Sequence, residues 1–251
     1  MYILPLLTFS LLGALCGSFV GVIAERAYTG QSWKRGRSKC NSCREVLTVR
    51  DLIPVFSWVF YRGRCRRCRV RLPVRYVAFE FLMAVLFAIS YQKLGLTIDL
   101  FVFLVVLCVL GFIVIYDLRH TVVPRASSNL LIVLSVLFAV LHAASPHALL
   151  VHLMIALGIA AFFFLLHYFS RGRAMGLGDT PVVFALAMLV GSAALPGLMF
   201  SFWIGAVVGL GILFMRKGGP RMGIEVPFVP FLAVGYLLAF FTLWNPLPFL
   251  L

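Results

Sequence analysis

Acidic side chains are nearly missing from this sequence. Of 251 residues only eight are Asp or Glu, and charged residues of both signs make up 12%. So little charge argues against a water-soluble domain, and the 63% hydrophobic content agrees, since soluble domains hold about 45–50% apolar residues. No basic stretch precedes the first apolar run, which argues against a secretory signal peptide. In "GALC" at 13–16, Leu15 is a poor small residue for lipoprotein cleavage before Cys16. No internal repeat is visible, which argues against transporters built from repeated halves.

What is present is apolar sequence in long runs. A helix needs roughly 20 mostly apolar residues to cross a bilayer, and eight runs qualify: 2–24, 76–94, 98–116, 127–143, 147–169, 179–195, 197–215 and 226–244. The basic residues test this reading independently. Of the 22 Lys and Arg, fourteen lie in the 25–75 loop, and others follow the third, fifth and seventh runs; only Lys93 lies in the alternate set of loops. Short cytoplasmic loops carry the Lys/Arg excess. The 25–75 loop is therefore expected inside and both termini outside, in the periplasm of a bacterial inner membrane. The net charge of +14 then has an ordinary cause, and contact with anionic headgroups adds roughly 1 kcal/mol per basic residue near the surface.

The one large polar segment carries "CNSC" at 40–43 and "CRRC" at 65–68. Each C-x2-C turn aims two thiolates at one point, and Cys40, Cys43, Cys65 and Cys68 together suit tetrahedral zinc. Disulfides are rare in the reducing cytosol, and neighbouring basic residues favour thiolate over thiol. A redox pair or four unrelated cysteines are the competing readings. Four thiolates leave no open coordination position, so the metal is expected to be structural. About fifty residues with few apolar side chains need such a staple. Cys16 and Cys108 lie inside apolar runs and read as core thiols. An arginine-rich zinc ribbon also suits nucleic acid, but "DLIPVFSWVF" at 51–60 is more apolar than a nucleic-acid-reading face needs. It reads as lying on the membrane surface or the helix bundle, and no nucleic-acid partner is expected.

The eight acids are Glu25, Glu45, Asp51, Glu80, Asp99, Asp117, Asp179 and Glu225. An ionisable residue within a span is costly and points to function. Asp117 ends the third span in "FIVIYDLRHTVVP" and Asp179 opens the sixth in "MGLGDTPVV", both at the cytoplasmic boundary. Two carboxylates at one depth on different helices can share a proton. One then takes a proton from water while the other protonates the departing group. Gly176 and Gly178 permit close backbone approach before Asp179, and a peptide can lie against backbone there. The alternative is that each Asp caps a helix or pairs with a nearby Arg such as Arg119. Glu80 and Glu225 are further candidates. His120 reads as a solvated interfacial residue rather than a proton carrier.

Taken in order, these segments resemble the type IV prepilin peptidases, membrane aspartyl proteases that mature pilins and type II secretion pseudopilins. "GSFVGVIAER" at 17–26, the "CNSC…DLIPVFSW…GRCRRC" loop running into "RYVAFE", "YDLRHTVVP" at 116–124, "GLGD" at 176–179 and "VPFVPFLAVG" at 226–235 are similar to that family's motifs. The resemblance implies that Asp117 and Asp179 are the catalytic pair and that Gly176 and Gly178 shape the peptide-binding turn. It implies that the four cysteines hold Zn2+. The substrate it implies is the basic leader of a prepilin or pseudopilin, cut before its apolar helix. Forms with the large cytoplasmic loop also methylate the new N-terminus with S-adenosylmethionine.

This chain departs from the family's pattern at Gly21, where Asn is common, and it lacks the proline that often follows Arg26. Arg125 stands where an acid is common, and Thr180 and Pro181 stand where a lysine usually follows the second aspartate. Both aspartates and all four cysteines are intact. The expectation is an all-α polytopic membrane enzyme of about eight transmembrane helices. Its parts are a first helix (1–24), a small cytoplasmic zinc-binding loop (25–75) and a helix bundle carrying the protease site (76–251). A membrane methyltransferase without protease activity, or a transporter or scaffold, are the competing function classes.

Overall fold

In a bilayer a long apolar run can satisfy its own backbone only as a helix or a closed barrel, and here every such run is helical. The computed structural model describes residues 3–29, 36–173, 175–215 and 226–244. Nine α-helices are found among them: α1 (Ile3–Thr29), α2 (Phe56–Phe60), α3 (Val74–Leu94), α4 (Ile98–His120), α5 (Arg125–His142), α6 (Pro146–Ser170), α7 (Asp179–Val190), α8 (Ala194–Met215) and α9 (Val229–Thr242). Among the described residues six helical stretches are long and apolar enough to cross a membrane; the last, Asp179–Met215, contains both α7 and α8. The chain divides into two compact units, Met1–Leu100 and Phe101–Leu251.

In the first unit α1 lies against α3 through small residues. A Cβ on Gly13 would meet the Met83 carbonyl oxygen and come within 2.8 Å of Phe87 Cβ, and one on Gly17 would lie 3.1 Å from Met83 Cβ. Close approach of backbones is how helices gain packing energy in lipid, where water provides no drive between them. Phe9 stacks on Tyr91 at 4.7 Å further along the same seam.

The second unit is organised around α7, which packs against α5, α6, α8 and α9. Nine of its twelve residues are buried, from Asp179 to Val190. A helix apolar on every side belongs in a protein interior, and α7, at 12 residues, spans only about 18 Å. Gly197 and Gly235 let α8 and α9 close together: a Cβ on Gly197 would sit 2.9 Å from Tyr236 Cδ1, and one on Gly235 would run into Ser201. The Ser201 hydroxyl donates to the Gly197 carbonyl at 2.8 Å. Phe103 of α4 stacks on Phe240 of α9 at 4.7 Å and tilts against Phe138 of α5 at 5.3 Å.

The structure shifts one expected boundary. The break between the sixth and seventh apolar runs was expected at 195–197, beside Pro196; it occurs at Gly191–Ala193, a 3-10 turn. Proline is tolerated in the first turn of a helix because its missing N–H would have no partner there, so Pro196 sits within α8. The chain bends instead at Gly191, whose φ of +60° suits glycine. His152 fills the space above it, 2.7 Å from where a Cβ would stand.

Candidate functional site

Asp117 lies in the last turn of α4 and Asp179 in the first turn of α7. Both are buried, at 4% and 9% exposure, a rare state for carboxylates. Two contacts that no sequence motif reveals hold the segments around them.

The first contact joins the chain after Asp117 to the chain before Asp179. The Thr121 N–H donates to the Asp117 carbonyl at 2.8 Å, and Thr121 itself turns to φ +51°, ending α4 sharply. The chain then runs through Val123, which rests on Gly178: a Cβ there would lie 3.2 Å from Val123 Cβ. Glycine at 178 therefore lets the segment after one aspartate touch the segment before the other. Gly176 differs. A Cβ on it would make an ordinary contact, 3.6 Å from Asp179 Oδ2. The Asp179 N–H donates to the Gly176 carbonyl at 3.2 Å. Gly176 and Leu177 are exposed.

The second contact comes from α9. Pro227 and Pro230 stop a helix from running through 226–228, so α9 begins at Val229. The first N–H groups of a helix lack internal partners, and that of Val229 donates to Asp117 Oδ2 at 3.3 Å. The positive end of α9 thus faces the Asp117 carboxylate. The sequence shows the two prolines but nothing in it connects them with Asp117.

A third anchor was missed altogether. His167, near the end of α6, bonds through Nδ1 to the Met175 carbonyl at 2.9 Å, while its own carbonyl accepts the Gly172 N–H at 2.9 Å. The imidazole so fixes the loop that presents Gly176. The hint in the sequence was a histidine eight residues before Met175, too loose a signal to stand alone.

The remaining candidates have contacts of their own. Glu80 accepts the Val55 N–H at 2.8 Å, which ties the loop helix α2 to α3. The His120 ring lies edge-on to Tyr116 at 4.8 Å. Glu225 lies outside the described residues.

In the first unit Cys40, Cys43, Cys65 and Cys68 converge, with all four sulfurs within 4.8 Å of one another. Cys40 Sγ and Cys68 Sγ are 3.8 Å apart. Sulfurs about 2.3 Å from a central metal in a regular tetrahedron stand about 3.8 Å apart, so the donor set fits a four-coordinate ion. The two turns are built alike. Arg44 N–H donates to the Cys40 carbonyl at 2.9 Å and Arg69 N–H to the Cys65 carbonyl at 3.0 Å. Both arginines sit at positive φ, 56° and 57°. Bridges Lys39 to Val46 and Arg64 to Arg71 close the two turns. Backbone N–H groups of Cys43 and Ser42 pull the Cys40 thiol down to about 7, toward the thiolate a metal needs.

Fold and sites together define a multi-pass membrane protein with two buried carboxylates in one unit and a four-cysteine cluster fit to hold a metal in the other. Residues 11–94 match the bacterial peptidase A24 N-terminal domain and residues 104–214 match the type IV leader peptidase family. Several relatives named prepilin leader peptidase/N-methyltransferase are similar to the chain. One from Dichelobacter nodosus is 31% identical, covering 81% of this chain and 70% of its own length. One from Bacillus subtilis is 29% identical over 91% and 90%. One from Myxococcus xanthus is 34% identical over 84% of this chain, which spans 64% of that relative's length. No solved structure matches. The chain belongs to the type IV leader peptidase family.

Proposed function

We propose that this protein is a membrane aspartyl endopeptidase that removes the basic leader of prepilins or pseudopilins at the cytoplasmic face of the inner membrane. The observation that carries the reading is the burial of both Asp117 and Asp179, with the segment after the first resting on the glycine turn before the second and the start of α9 facing the first. With one proton between them, the ionised carboxylate takes a proton from water as its oxygen attacks the scissile carbonyl. The protonated carboxylate supplies its proton to the departing nitrogen as the C–N bond breaks. The exposed backbone at Gly176 lines up the peptide. A prepilin leader enters from the cytoplasm while its apolar helix stays in the bilayer, so its scissile bond lies at an interface, where α4 ends and α7 begins.

In this reading α1, α3, α4, α5, α6, α7, α8 and α9 make eight crossings, with both termini periplasmic and the cysteine loop cytoplasmic. The distribution of Lys and Arg supports that orientation. The metal is zinc in a structural role, since four thiolates fill its coordination. We extend the reading to N-methylation of the new N-terminus with S-adenosylmethionine as donor, which the relatives' shared name supports.

The test is cleavage of a prepilin by the purified full chain and by Asp117→Asn and Asp179→Asn, with and without the methyl donor. Each substitution should lower cleavage by about a thousandfold while helix content is unchanged. Full cleavage by both variants removes the carboxylate pair from the reaction. Methyl transfer without leader removal by the parent chain would favour the methyltransferase class instead.

A further inference from the structure

The loop between α1 and α3 carries two surfaces that neither the cleavage reaction nor the metal cage uses. Phe56, Val59 and Phe60 of α2 are 69%, 62% and 80% exposed, an unusual cost for apolar side chains in water. The next stretch is strongly basic: Arg62, Arg64, Arg66 and Arg69 line one open hollow of about 450 Å³ together with Tyr61 and Cys65. Arg66 also lines a neighbouring hollow with Arg50, so the basic surface is continuous. Between Ser38 and Leu72 the only acids are Glu45 and Asp51. Glu45 pairs with Arg67 at 3.4 Å, and Asp51 accepts from the Thr48 N–H and hydroxyl at 2.9 and 2.7 Å.

The depth of this surface is fixed by α3. Val55 holds a strained positive φ of 61°, costly for a β-branched residue, and its N–H donates to Glu80 Oε2 at 2.8 Å. Glu80 lies six residues beyond Val74, where α3 begins, so the start of α2 is level with a point about 9 Å along a membrane-crossing helix. The indole of Trp58 lies over Gly63, 2.8 Å from where a Cβ would stand, and locks α2 to the first arginines. An apolar helix at that level, followed at once by clustered guanidinium groups, matches the layering of a bilayer surface: acyl chains below, phosphates above.

We propose that residues 49–71 dock on the anionic phospholipids around the first unit. Phe56, Val59 and Phe60 enter the boundary between headgroups and acyl chains, and Arg62, Arg64, Arg66 and Arg69 hold lipid phosphates. Guanidinium forks pair bidentately with phosphate oxygens, and the hollow they line gathers several of them at one place. Docking also gives the strained Val55 turn a purpose, since it aims α2 sideways from α3.

The experiment is amide hydrogen exchange on the full chain in nanodiscs of phosphatidylcholine alone and of phosphatidylcholine with phosphatidylglycerol. Residues 56–71 should exchange about tenfold more slowly in the anionic discs, and the difference should shrink in high salt. A chain carrying Arg62→Gln, Arg64→Gln, Arg66→Gln and Arg69→Gln should lose the difference. The lipid comparison uses the unaltered protein, so it stands even if that variant folds poorly. Equal exchange in the two discs overturns the proposal. So does equal protection in neutral discs given inorganic phosphate, which would make the surface a site for a free anion, or salt-sensitive binding of an oligonucleotide that protects the same residues.

Discussion

The cysteine loop of the first unit and the carboxylate pair of the second gather reactive side chains by opposite means. Four cysteines spread over 29 positions converge because two near-identical turns each present a pair, and the four sulfurs offer one ligand atom each at a single point. The aspartates are 62 positions apart and have no attraction for each other when both are charged. Helix packing, a glycine contact and one N–H of α9 hold them together. A site held by ligation should therefore fail when its ligand is taken away, whereas a site held by packing should fail when its spacing changes.

Metal removal is the largest expected effect that separates the two. Structural zinc sites contribute on the order of 10 kcal/mol to the fold of the segment that binds them, and residues 38–72 have few buried apolar groups to replace that. A strong chelator, or Cys40→Ser, should bring the amides of 38–72 to near-unprotected exchange. Those of α7 should hardly change, because its support comes from α5, α6, α8 and α9. Metal analysis of the untreated chain should give about one zinc per molecule. Collapse of α7 protection along with the loop would mean that the two sites are not independently held.

The next effect sharpens the packing half. Gly178→Ala puts a methyl 3.2 Å from Val123 Cβ, and a shift of a few tenths of an ångström must follow in a segment that positions both carboxylates. Misplacement of about 1 Å in a catalytic site costs up to about a hundredfold, so a loss of about tenfold in cleavage is expected. Gly178→Ala with Val123→Gly should recover most of it, since the second change removes the Cβ that the new methyl meets. Gly21→Ala, where nothing lies within 4 Å, serves as the control with no loss. If the double variant is no better than the single, Gly178 acts through its backbone dihedrals or through substrate instead.

The same contrast explains what was legible beforehand. Cysteine spacing is local, so the cage could be read directly, and the apolar runs located every long helix because length and hydropathy alone decide whether a segment can lie in lipid. The burial of Asp117 and Asp179 was inferred from their place at span boundaries. What could not be read was how they meet. Val123 against Gly178 is a contact between two unremarkable aliphatic and glycine positions, and the Val229 bond involves only backbone. The clamp from His167 to Met175 depends on how a loop folds back on its own helix. The position of the α7–α8 break could not be read for a related reason: it falls at Gly191, inside an unbroken apolar run, where only the backbone turn marks it.

The smallest effect concerns a group that packing leaves unserved. The Tyr236 hydroxyl is fully buried between α8 and α9 and makes no hydrogen bond among the described residues; in the first unit the indole N–H of Trp58 is in the same state. A buried polar group without a partner costs about 1–3 kcal/mol, yet both aromatic rings fill space next to a glycine, Gly197 in one case and Gly63 in the other. The ring therefore matters and the hydroxyl does not. Tyr236→Phe keeps the ring against Gly197 and removes only the oxygen, so the melting temperature in detergent should stay level or rise by a few degrees. Tyr236→Ala should lower it sharply by opening a cavity between the two helices that carry Ser201 and the start of α9. A fall in melting temperature for Tyr236→Phe comparable with that for Tyr236→Ala would show that the hydroxyl is held by a partner, and that this part of the bundle depends on polar pairing as well as on close packing.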